Sequence, residues 1–117
     1  MTTTIETATT AGAQINAAGA LLAILTTHAD LPNPQIDLRE VRVSAGVWPM
    51  GLRIALHNDI SAFEQWRTAL DLDPDTVDHK HSLGGTLAWL IVTGTTHSVP
   101  VELVGYYDLP EPATTWG

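Results

Sequence analysis

The sequence predicts an α+β fold: an antiparallel sheet of about five strands, a hairpin plus a three-strand meander, with two helices packed on one face in the order α-β-β-α-β-β-β. Two stretches of helical periodicity, one alternating hairpin and one run of three further strands predict it. The chain has 117 residues, 44% of them hydrophobic, enough for one domain with a modest core. That domain is expected over residues 10–109, between a Thr-rich tail at 1–9 and an irregular tail at 110–117 carrying Pro110 and Pro112.

The first helix is expected over residues 10–28, capped by Thr9 or Thr10 and rich in alanine. Ile15, Ala18, Leu22 and Leu25 share one face, broadened by Leu21 and Ile24, and this face is expected to be the buried one. His28 in the last turn suits the helix dipole, and Leu31-Pro32-Asn33-Pro34 ends the helix. Residues 35–47 then alternate as a strand with a slip at Arg39-Glu40. Trp48-Pro49-Met50-Gly51 fits a tight turn, and Leu52, Ile54 and Leu56 form the inner face of the returning strand. Asn58 or Asp59 starts the second helix, with Phe63, Trp66 and Leu70 as its buried stripe.

The meander occupies residues 76–107. A three-residue loop Gly94-Thr95-Thr96 pairs Trp89 with Val101, Ile91 with Val99 and Leu87 with Leu103, giving a wholly apolar inner face. Ala88, Leu90 and Val92 then form an apolar row on the face away from the helices, which marks them as an interface. The turn at Leu83-Gly84-Gly85 sets the neighbouring strand. A two-residue Gly-Gly turn places His79 and His81 beside Leu90 and Ala88, with Asp78 and Lys80 in the core against Ile91 and Trp89. A three-residue loop turns Val77, His79 and His81 inward and Asp78 and Lys80 outward. Burying two charges costs several kcal/mol more than burying two neutral imidazoles, which favours the second arrangement.

The charge is −8, from thirteen acidic and five basic residues, so the chain is a poor direct binder of nucleic-acid phosphates. It has no cysteine, which excludes disulfides, thiolate chemistry and Cys-ligated metals. The apolar run at 17–25 does not read as a secretion signal, because Glu6 precedes it and no Lys or Arg does before Arg39. It is also shorter than the ~20 residues that span a bilayer. A cytoplasmic protein without a membrane association is expected, and the Ala-, Thr-, Asp- and Gly-rich composition suggests a bacterial source.

Two patterns resemble ligand sites. His79 and His81 point to one side of a strand, as metal ligands do, with His57, His97 or an Asp as a third. Asp71, Asp73 and Asp75 alternate like a calcium loop, yet Thr76 stands where the EF-hand needs Gly and Ser82 where it needs Glu. Acid–base candidates are His57 with Asp59, and Glu102, but no nucleophile elbow, P-loop, dinucleotide fingerprint or HExxH motif accompanies them. No cofactor is implied. The sequence therefore favours a small acidic, non-catalytic interaction or regulatory module, paired with itself as a homodimer or with another protein. A metal- or ligand-binding domain using His79 and His81 stands second, and a small enzyme third.

Overall fold

The computed structural model describes residues 10–109, so both expected tails lie outside the described residues. The elements are α1 (Ala13–Thr27), β1 (Gln35–Glu40), β2 (Met50–His57), α2 (Ile60–Ala69), a 3-10 turn (Pro74–Thr76), β3 (Asp78–His81), β4 (Leu87–Thr96) and β5 (Val99–Asp108). The order is the expected α-β-β-α-β-β-β. The sheet runs β1-β2-β5-β4-β3. Hairpin and meander are each antiparallel, and they join through a parallel pairing of β2 with β5, so the sheet is mixed.

Both helices pack on one face. Beneath them lie Leu52, Ile54 and Leu56 of β2, Val99, Val101 and Leu103 of β5, and Val92 of β4. Of the expected starts, Asn58 or Asp59, it is Asp59 that caps α2, accepting from the Ala62 amide at 2.9 Å. Ala62, Phe63, Trp66 and Leu70 are buried, and the Trp66 indole N–H donates to the Pro32 carbonyl at 2.8 Å. Phe63 sits directly on Gly105, where a Cβ would come within 2.8 Å of its ring. Leu72 covers Gly94 in the same way. Gly94 is thus a strand residue that admits a side chain from above rather than a turn residue.

Three local expectations are corrected. The β1–β2 turn lies at Ala45-Gly46, with Gly46 at φ +76 and the Val47 amide donating to the Ser44 carbonyl at 3.0 Å. Residues 48–51 belong to the returning arm, where Gly51 presses on Pro100: a Cβ there would overlap the Pro100 carbonyl oxygen. The β4–β5 connection is a two-residue turn, His97-Ser98, at φ +52 and +63. Two left-handed residues match the twist of a hairpin, even though glycine is the usual occupant. Third, α1 is rotated. Ala13, Ala17, Ala20 and Ile24 face the sheet, while Ile15, Leu22 and Leu25 are 70%, 69% and 40% exposed. Apart from Gln14, Asn16 and the closing Thr26-Thr27 the helix is apolar, so little polar contrast fixes its rotation, and its small alanines let it lie closer to the sheet than the larger side chains would.

Gly51→Ala and Gly105→Ala should each lose about 1–3 kcal/mol in chemical denaturation, since backbone or a core ring must move. A loss within error of zero at Gly51 would contradict its contact with Pro100. A second expectation concerns Arg67, which donates to both Glu64 oxygens at 3.0 and 2.9 Å and to the Leu72 carbonyl at 2.9 Å. The hydrogen bond from Arg67 holds the Glu64 carboxyl below its usual range. Because the folded value is the lower one, the pair stabilises fully above the ordinary carboxylate range and fades as pH falls through Glu64's own. Glu64→Gln should therefore lower Tm at neutral pH and leave it unchanged in strong acid.

Candidate functional site

The expected interface row is not a free surface. Ala88 and Val92 are 0% and 2% exposed, and half-buried Leu90 packs against the core beneath the helices. The two-residue turn is the reason. It pairs Trp89 with Tyr106, Ile91 with Val104 and Val92 with Leu103, an odd shift from the expected register. An odd shift exchanges the two faces of a strand. Leu87, Trp89 and Ile91 consequently occupy the face that no described element covers.

For the histidine pair two differences from the expected registers cancel. β3 pairs His79 with Leu90, His81 with Ala88, Asp78 with Ile91 and Lys80 with Trp89. This is the pairing assigned to the disfavoured turn, but on a strand whose faces are themselves exchanged. His79 and His81 thus point to the helix side and Asp78 and Lys80 away from it, as expected. They are exposed nonetheless, because the helices lie over β1, β2 and β5 and stop short of β3. Trp89 is on the opposite face from both. His79 stacks on Tyr107 at 5.9 Å, and its Nε2 is hydrogen-bonded to the Tyr107 hydroxyl.

The other candidates are dispersed or already engaged. Asp73 accepts from the Asp75 amide at 2.9 Å and caps the 3-10 turn, while Asp71 sits at φ +57 on the far side of buried Leu72. Among the described residues no group of three or more His, Asp or Glu side chains converges as a metal site. Asp59 serves as the α2 cap, and His57 Nε2 meets Gln35 Oε1 at 3.1 Å. His97 forms half of the β4–β5 turn. No helix among the described residues is long and apolar enough to cross a membrane.

The structure instead brings together a set of side chains on the uncovered face. Trp89 of β4, Tyr106 of β5 and His57 of β2 form an aromatic row across three strands. Trp89 and Tyr106 are 6.1 Å apart and tilted by 48°; Tyr106 and His57 are stacked at 5.1 Å. Arg53 lies over the Tyr106 ring at 5.7 Å and donates through Nη2 to the Tyr106 hydroxyl. Its Nε is 3.3 Å from Glu102 Oε2, an ion pair without hydrogen-bond alignment. Beneath these side chains Val104 is fully buried and Ala55 nearly so. Beside them is a shallow recess of about 240 Å3 lined by Gln35, Asp37, Arg53, Ala55, His57 and Tyr106.

No family model, curated protein or solved structure matches this chain. The surface must therefore be read from its own chemistry. β5 signalled it in the sequence: Val99, Val101 and Leu103 are inward and Glu102 outward, which sends Val104 and Tyr106 outward too. β4 hid it, since residues 87–92 are apolar at every position and carry no alternation.

Arg53 and Glu102 side chains are only 22% and 18% exposed, so the pair sits in a partly dry setting. A double-mutant cycle with Arg53→Met and Glu102→Gln should give a coupling of about 1 kcal/mol. Additive single effects would place both charges in open solvent instead.

Proposed function

We propose that the protein is a non-catalytic interaction module that docks a partner protein on the uncovered face of its sheet. The observation that carries the reading is the cluster of Trp89, Tyr106 and Arg53 on that face. Trp, Tyr and Arg are the residue types that dominate binding hot spots, because each combines a large contact area with a directed polar group. Here they are held by one another before any partner arrives, so little side-chain freedom is lost on docking.

Charge supports the same reading. By strand position the face carries Asp37, Asp78, Glu102 and Asp108 against Arg39, Arg53 and Lys80, a net −1 within a chain of −8. Three of the five basic residues thus lie on this one face, which leaves the rest of the molecule strongly acidic. The fitting partner presents an apolar patch to Trp89, Ile91 and Leu87, with charges of both signs around it. A phosphate backbone is the wrong chemistry for this surface.

Lys80 is the only lysine in the chain and is paired with Trp89 on the same face. An amine-reactive cross-linker in an extract of the source cells should join a partner protein to Lys80. Trp89→Asp should abolish that product, whereas a substitution on the outer side of α1 should not. A cross-link that survives Trp89→Asp overturns the reading, and a Lys80–Lys80 product assigns the face to a second copy instead.

A further inference from the structure

The sheet uses only one stripe of α1. Ala13, Ala17, Ala20 and Ile24 are buried against it, and the outward stripe is Ile15, Ala18, Leu22 and Leu25. Ile15 and Leu22 are among the most exposed large apolar side chains of the described residues. The helix, AQINAAGALLAILTT, contains no charged residue, in a chain whose net charge is −8. Gly19 interrupts it at mid-length. Among the described residues nothing lies within 4 Å of where its Cβ would be, and its φ is not left-handed, so none of them requires glycine there. Glycine nonetheless weakens a helix interior relative to alanine.

We infer that α1 pairs with α1 of a second copy, antiparallel, across a two-fold axis at Ala18–Gly19. An antiparallel pair about that point sets opposite each other the positions whose numbers add to 37. Ile15 then faces Leu22, Ala18 faces Gly19, and Gly12 faces Leu25. Every contact is repeated by symmetry, as an isologous interface requires. The crossing point holds the two smallest residues of the stripe, which lets the helix axes approach closely and gives Gly19 a purpose. The larger side chains flank it and interlock.

Charge places such a contact at α1. Two copies at −8 repel each other over most of their surface. α1 is a wholly uncharged element, and the antiparallel arrangement sets each helix N-terminus near the other's C-terminus, a favourable placing of the dipoles. One helix pair buries less than a standard interface, so assembly is expected at tens of micromolar rather than at nanomolar concentration. This seam is on the opposite side of the sheet from Trp89, and it stands whether or not that face binds a partner.

Light scattering coupled to gel filtration of the full chain should give a dimer at tens of micromolar. Leu22→Glu should give a monomer with an unchanged circular dichroism spectrum. Gly19→Leu is the stricter variant: it fills open space in the protomer and favours the helix, yet it should weaken the dimer at least ~10-fold through blocking the crossing. The chain lacks cysteine, so introduced thiols report register without background. A mixture of Ile15→Cys and Leu22→Cys proteins should oxidise to the mixed disulfide, and Ala18→Cys should oxidise with itself. A monomeric wild type overturns the inference, as does a dimer indifferent to both Leu22→Glu and Gly19→Leu. Strong 15–15 and 22–22 disulfides would show parallel helices and overturn the two-fold described. A monomer that binds a different protein through Leu22 overturns self-pairing in favour of that partner.

Discussion

The contact that the rest of the structure depends on is the parallel seam between β2 and β5. It joins a two-strand hairpin, too small to hold a core alone, to a three-strand meander. On the helix side it aligns Leu52, Ile54 and Leu56 with Val101, Leu103 and Gly105. The absent side chain at Gly105 is filled by Phe63, so α2 lies down on the seam rather than standing off it. The missing side chain at Gly51 lets the Pro100 backbone come close at the other end. The same seam, seen from behind, sets Arg53 beside Glu102 and His57 beside Tyr106. One register thus builds the core and assembles the polar cluster opposite it.

Much of this was legible in the residues, and the part that was not has a specific cause. Asp59, Phe63 and Trp66 announced α2 because a cap and an amphipathic stripe agree there. β2 and β5 announced their faces because Arg53 and Glu102 interrupt apolar neighbours at period two. α1 and β4 announced an element but no orientation. α1 has only Gln14 and Asn16 as polar residues before its last turn, and β4 is apolar at every position through Val92, so hydrophobic periodicity has little to contrast, and their orientation is decided by tertiary packing and by turn length. The β4–β5 turn added to this. His97 and Ser98 take left-handed conformations with no glycine to mark them, while Gly94, which resembles a turn residue, is needed under Leu72. That difference in parity puts Leu87, Trp89 and Ile91 away from the helices, where Ala88, Leu90 and Val92 were expected. The β3–β4 register differs from the expected one by the same parity, so His79 and His81 stay on the helix side of the sheet.

The two apolar surfaces differ in kind. The sheet face is ringed by charge, and its aromatic side chains contact one another. The outer stripe of α1 is narrow and uncharged, with little to hold its side chains in place. Surfaces of the first type discriminate among partners through directed polar groups, whereas surfaces of the second rely on shape and on the absence of a penalty. Their separation on opposite sides of one sheet means that occupying one leaves the other accessible.

The ends of the sheet tell a complementary story. β3 has four residues, Asp78, His79, Lys80 and His81, all exposed; β1 at the other end exposes Asp37, Arg39 and Glu40. Short, charged edges refuse an added strand. A chain so rich in β-structure has therefore closed the route by which sheets grow end to end into fibres. Association through the faces of the sheet is left as the less hindered route among the described elements.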